Sequence, residues 1–200
     1  MTAPNADTPQ MRGTAAERLL SAARNLFYRR GIRAIGVEEI VRAAGVTKPT
    51  LYRSFPSKDE LAASYLRNYE GDFWKLFDRS IADHPGDPRA QILDFLAGVG
   101  RRAGRSGHRG CGMTNAAVEY PDRDNPAHVV CEANKRELRS RLRAKAAEMG
   151  AIDADQLADG LLLLFEGANI CGQIFGEDGP AINVAANAAS LISASLMNGR

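Results

Sequence analysis

Apolar residues recur at three- and four-residue steps along almost the whole chain, the period of amphipathic helices. No stretch alternates with period two long enough for a strand, and no internal repeat is evident. The chain therefore reads as all-α, with about nine helices. Thr14 and Glu17 form a capping box, after which Leu19, Ala22, Ala23, Leu26 and Phe27 make one apolar face that ends at Gly31. Val37, Ile40, Val41 and Ala44 predict a short second helix between Gly36 as N-cap and Gly45. A third short helix starts after Thr47 and is stopped by Pro56.

Six further helices follow. Ser57 and Glu60 open a fourth helix to about Ala82, and Asp87-Pro88 opens a fifth to about Ala103. A Gly-, Arg- and Ser-rich loop covers 104–112, a short helix runs from about Met113 to Tyr120, and residues 121–126 break the chain. A charge-laced helix then covers about Pro126 to Met149. Asp153 with Gln156 caps an eighth helix to about Phe175, and Pro180 to Met197 predicts a ninth. Residues 1–13, polar with two prolines, read as a disordered tail. The expected organisation is a three-helix domain over 14–60 and a helical bundle over 61–200.

The last two helices carry apolar seams. Leu157, Leu161, Leu164, Ala168, Cys171 and Phe175 step by four and three on the eighth; Ile182, Ala185, Ala189, Ile192 and Leu196 do likewise on the ninth. Paired with their symmetry mates, these would form a four-helix homodimer interface; the alternative is that both seams face the monomer's own core. Candidates for lining a ligand pocket in the bundle are Trp74, Phe77, Phe95, Met113, Tyr120, His128, Phe165 and Asn169. Most are apolar or aromatic, and Asn169, an amide in an apolar helix, requires a partner.

Charge adds an asymmetry. The formal net charge is only +2, yet the first 66 residues hold ten bases and six acids, leaving −2 for the remainder. A basic end on a mildly acidic body suits a nucleic-acid module. Three cysteines without paired spacing suggest a reducing cytosol rather than a secreted disulfide scaffold. The longest strongly apolar run, Leu161 to Phe165, is too short to span a bilayer, so no membrane association is expected.

The trihelix concentrates the chemistry. The run Val37 to Phe55 has helix-turn-helix form, with Gly45 supplying the turn. Ile40, Val46 and Leu51 are expected inward, which leaves Thr47, Lys48, Pro49, Thr50, Tyr52 and Arg53 on the outer side of the third helix. In this motif the second helix enters the major groove of double-stranded DNA while the first crosses the backbone.

The run Gly45-Val46-Thr47-Lys48-Pro49-Thr50-Leu51-Tyr52-Arg53-Ser54-Phe55-Pro56-Ser57-Lys58-Asp59-Glu60-Leu61 closely resembles the DNA-binding domain of TetR-family transcriptional regulators. The resemblance implies a homodimeric, ligand-responsive repressor that reads a palindromic operator and is released by a small-molecule effector. It also implies that Thr47 and Thr50 lie near phosphates or bases, that Lys48 and Arg53 reach base edges or backbone, and that Tyr52 and Lys58 meet phosphates. Ile35-Gly36 stands where the family has a Ser or Thr pair, so the hydroxyl contact from that corner is missing; Arg33 and Arg42 are the substitutes in reach.

Two sharper sites compete for the cysteines. His108 with Cys111 and His128 with Cys131 each stand three apart, a spacing that could gather four zinc ligands. Cys111, Cys131 or Cys171 could instead be a redox switch, Cys111 foremost because Arg105 and Arg109 flank it. A thiol- or metal-responsive regulator and a helical protein-interaction adaptor are therefore the alternative functions. An enzyme is not expected: there is no phosphate loop, no paired acid–base constellation and no nucleophile signature, and Glu119 with His128 could be drawn as a dyad that nothing in the sequence positions. No cofactor is implied.

Overall fold

The structure is a computed structural model that describes residues 13–197; the tail expected over 1–13 lies, apart from Gly13, outside the described residues. Among these, nine α-helices and two short 3₁₀ turns carry the chain, without strands. Contacts divide it into two units, Met1–Tyr65 and Leu66–Arg200.

The first unit contains α1 (Ala15–Arg30), α2 (Val37–Ala44), α3 (Lys48–Ser54) and the opening of α4 (Lys58–Asp83). The capping box forms: Glu17 N donates to Thr14 Oγ1 at 3.2 Å and Thr14 N to Glu17 Oε2 at 2.7 Å. Leu19, Ala23 and Phe27 on α1 are buried with Ile32, Ile35, Ile40, Leu51 and Phe55. Tyr65 closes this core edge-on to Phe27, ring centroids 5.7 Å apart. Leu26 and Val46, expected inward, are only half-buried.

The second unit contains the rest of α4, then α5 (Pro88–Ala103), α6 (Gly112–Glu119), α7 (Pro126–Glu148), α8 (Ala154–Phe175) and α9 (Val184–Met197). Helix α8 is central and packs on α5, α7 and α9. Asp87 and Asp153 cap α5 and α8 through Ala90 N and Gln156 N. The charges on α7 find antiparallel partners on α8: Lys135 with Glu166 at 2.6 Å, Arg139 with Asp159, and Arg143 with Asp155 at 2.8 Å. The ninth helix starts later than expected. Pro180–Asn183 forms a 3₁₀ turn, and the Ala181 carbonyl sits so close to Gly100 that a Cβ there would be 2.6 Å away.

The seams are corrected. Leu157, Leu161, Ala168 and Ile192 are buried in this unit's own core, so they are not a dimer surface. Leu164, Cys171, Ala185 and Ala189 are half-buried, while Phe175, Ile182 and Leu196 remain exposed. The outward apolar stripe of α8 lies one position round, along Leu163, Gly167, Ile170 and Ile174, with Leu163 72% and Ile174 65% exposed. The stretch Ala154–Asp178 is, by length and composition, apolar enough to cross a membrane, contrary to the sequence expectation. Its inward face is packed core, and Asp155, Asp159 and Glu166 are ion-paired to α7, which is the behaviour of a central helix with a second apolar face.

Two glycines separate packing from propensity. A Cβ on Gly172 would lie 2.6 Å from the Ala103 carbonyl oxygen, whereas Gly71 on α4 has nothing within 4 Å. Gly172→Ala should cost about 1–3 kcal/mol through overpacking. Gly71→Ala should gain up to about 1 kcal/mol from helix propensity. Denaturant unfolding of the two variants checks both signs.

Candidate nucleic-acid interface

The recognition unit is built by a short turn. Gly45 takes φ 61° and ψ 39°, left-handed values that a residue with a Cβ adopts only at a cost, and Val46 N donates to the Val41 carbonyl at 3.0 Å. This swings the chain into α3, which is held by Leu51, fully buried. Thr47 takes extended N-cap geometry, yet its hydroxyl pairs with Thr50 Oγ1 at 2.9 Å instead of capping the backbone.

Around α3, Thr47, Lys48, Pro49, Tyr52 and Arg53 are exposed and Thr50 is half-buried. Arg33, Arg42 and Gly36 are exposed as well, and Gly36 caps α2 with no side-chain bond. Lys58 Nζ donates to the Arg33 carbonyl at 3.5 Å. Sequence reasoning missed Glu38. Its Oε1 accepts from Lys48 Nζ at 2.7 Å, a contact across the turn at a separation of ten residues that no helical period reveals. The hydrogen bond with Lys48 holds the Glu38 carboxyl below its ordinary range and raises the lysine. Arg30 is paired in the same way with Glu39.

Residues 19–65 match the family model described as bacterial regulatory proteins, tetR family. Over 92% of its length the chain matches the crystal structure of a protein described as a TetR transcriptional regulator from Streptomyces avermitilis, with 35% identity, 98% of that chain covered and a TM-score of 0.80. The chain belongs to the TetR family. A second solved TetR-family regulator, SCO4454 of Streptomyces coelicolor, is 26% identical with a TM-score of 0.85, over 91% of this chain and 96% of that one. The transcriptional repressor KstR2 of Rhodococcus jostii is 35% identical over 92 residues, 46% of this chain and 45% of that protein. Two helix-turn-helix regulators of Mycobacterium tuberculosis are 46% identical over 52 residues, and the chain spans about a quarter (26%) of their length. As in this family, the trihelix is a helix-turn-helix unit of a transcriptional regulator.

In the second unit, four of the eight residues expected around a ligand come together as packed aromatics. Trp74, Phe77, Phe95 and Phe165 join Phe73, which sequence reasoning omitted; Phe95 stacks on Phe165 at 5.9 Å, and Phe73 meets both edge-on. Polar groups are threaded between them. Glu70 Oε1 accepts from Trp74 Nε1 and from Asn134 Nδ2, each at 3.2 Å, and the Arg141 guanidinium lies 4.1 Å over the Trp74 ring. Asn169 finds its partner in its own helix, donating to the Phe165 carbonyl at 2.9 Å. Met113 is buried, and Tyr120 and His128 are half-buried and joined, His128 Nδ1 lying 2.6 Å from the Tyr120 carbonyl. A cleft of about 310 Å³ includes Phe95 with Ser80, Asp94 and Arg101 on its walls.

The four residues whose spacing could suit zinc do not come together. His108 Nε2 is engaged by the Asn169 carbonyl at 3.3 Å and His128 by Tyr120, while Cys111 is engaged by Lys135. Among the described residues no group of three or more His, Cys, Asp or Glu gathers. The charge beside Cys111 is also Lys135, with Arg105 and Arg109 exposed.

Burial lowers the His108 pKa; the Asn169 carbonyl opposes this and Arg102 adds to it. The unfolded chain therefore binds this proton at higher pH than the folded one, and stability contributed by neutral His108 is lost as pH falls below about 6.5. His108→Gln should flatten that part of the pH dependence of the thermal midpoint, and an unchanged slope would contradict the assignment.

Proposed function

We propose that the chain acts as a homodimeric repressor that binds a palindromic operator through α3 and releases it when a small-molecule effector occupies the second unit. One observation carries the DNA-reading part. A fully buried Leu51 leaves Lys48, Pro49, Tyr52 and Arg53 exposed on a seven-residue helix, with Thr47 exposed at its N-cap. Tyr52 and Lys58 are assigned to phosphates, Lys48 and Arg53 to base edges, and Arg33 and Arg42 to the corner where Gly36 lacks a hydroxyl. Phosphate contacts carry no sequence information, while base contacts do. The name of the Rhodococcus relative supports repression. A cytoplasmic location follows from the need to meet DNA.

The dimer is proposed on the outward stripe of α8 and the adjoining face of α9. Leu163, Leu164, Gly167, Cys171 and Asn187 line a cleft of about 190 Å³ there. Dimerisation supplies two reading helices for half-sites one turn apart, about 34–36 Å. The effector is placed among the aromatic and polar side chains between α4, α5, α7 and α8. Its differential affinity for DNA-competent and DNA-incompetent dimers is all that release requires.

Selection from a random-operator library tests the reading. Tyr52→Phe should weaken binding evenly across sequences. Arg53→Ala or Lys48→Ala should relax preference at one or two positions, each by about 1–3 kcal/mol if bidentate. An Arg53→Ala protein with unchanged preference would remove that residue from base reading. In analytical ultracentrifugation Leu163→Glu should give a folded monomer; a persisting dimer would place the interface elsewhere.

A further inference from the structure

One cluster of reactive groups has no part in reading DNA. Cys111, the N-cap residue of α6, is only 3% exposed, and Lys135 Nζ on α7 donates to its sulfur at 3.3 Å. Lys135 pairs with Glu166 on α8 at 2.6 Å, and Thr114 Oγ1 donates to the other Glu166 oxygen at 2.7 Å. The ammonium also lies 4.7 Å over the Phe165 ring. Burial alone would lower the Lys135 pKa, but Cys111 and Glu166 together outweigh it and raise it, so the lysine keeps its proton. An apolar residue would fill this place without the cost of desolvating a charge. The position instead delivers an acid to a sulfur.

We propose that Cys111 is a site of oxidation by small hydroperoxides, with Lys135 as the acid that protonates the departing oxygen. The sulfur attacks the terminal peroxide oxygen. The S–O bond forms as the O–O bond breaks, and sulfur gives up two electrons to the peroxide. The leaving oxygen takes a proton from Lys135, which recovers one from the thiol. In sum, thiol and hydroperoxide become sulfenic acid and alcohol, or water when the oxidant is hydrogen peroxide. Cys111 is buried beside Met113 and Ala116, each 1% exposed, so the oxidant proposed for it is small and uncharged.

The product is a sulfenic acid. Cys131, the neighbouring thiol, is buried and its pKa is pushed up to about 12, first by burial and then by Cys111. It stays protonated at neutral pH and is a slow partner for disulfide formation. An oxygen on Cys111 intrudes on the chain of bonds from Cys111 through Lys135 and Glu166 to Thr114, which ties α6, α7 and α8 together. This chemistry does not depend on what the first unit binds, so its failure and the failure of the operator reading are separate events.

The test treats the full chain with limiting hydrogen peroxide and follows the intact mass, locating the gained oxygen by peptide mapping. Exposure alone favours Cys171, which is half-exposed. The proposal expects one oxygen on Cys111 first, reversible by a thiol reductant and abolished in Cys111→Ser but not in Cys131→Ser. Lys135→Met paired with Glu166→Leu, which leaves no buried charge unpaired, should slow it roughly tenfold or more. Oxidation of Cys171 ahead of Cys111, an inert Cys111, or an unchanged rate in the paired variant would overturn it. If the paired variant does not fold, the order of Cys111 and Cys171 in the native protein decides.

Discussion

The burial of Leu51 is the constraint on which the DNA-reading surface depends. A seven-residue helix has no independent stability in water, so α3 exists because it packs on α1 and α2 through that side chain, with Phe55 behind it. With Leu51 inward, residues two positions away, Pro49 and Arg53, point about 200° round the helix. Tyr52 and Lys48 follow on one side of them, at about 100° and 60° from Leu51. The outward set is thus a geometric consequence of one apolar anchor and one left-handed glycine, Gly45, and a rigid presentation of that set is what groove recognition needs.

The second unit resolves a different competition. Helix α8 is apolar nearly all round, and its faces are divided between the unit's own core and an exposed stripe. Leu157 and Leu161 lie in the core, on a helix that packs against α5, α7 and α9, while Leu163 and Ile174 are exposed. Charge is handled by pairing along α7 and α8, with Lys135, Arg139 and Arg143 each opposite an acid. The Lys135 pair is the most enclosed of the three, and it is the one that also touches a sulfur.

Much of this was legible beforehand, for physical reasons. Caps and breakers act locally, so Thr14 with Glu17, Asp87-Pro88 and Asp153 marked helix starts that the structure keeps. The helix-turn-helix run was readable because Gly45, Leu51 and the polar outer face all lie within a few residues. Which face of α8 turns inward was not, since a helix with Leu at 161, 162, 163 and 164 satisfies every helical phase at once. The Glu38–Lys48, Lys135–Cys111 and Lys135–Glu166 contacts were invisible because they join different helices. A faint signal existed for the last: Glu166 is a charge set directly against an apolar run, and a buried charge requires a partner. Four of the aromatic candidates pack together, but Phe73, which meets Phe95 and Phe165, was passed over because nothing local marks it.

The central claim is that α3 sits in the major groove of duplex DNA. Methylation interference on a selected operator tests it directly, because methyl groups on guanine N7 project into that groove. The account predicts two interfering clusters, symmetry-related and about one helical turn, 34–36 Å, apart. Interference confined to adenine N3 in the minor groove, or binding indifferent to both, would contradict it.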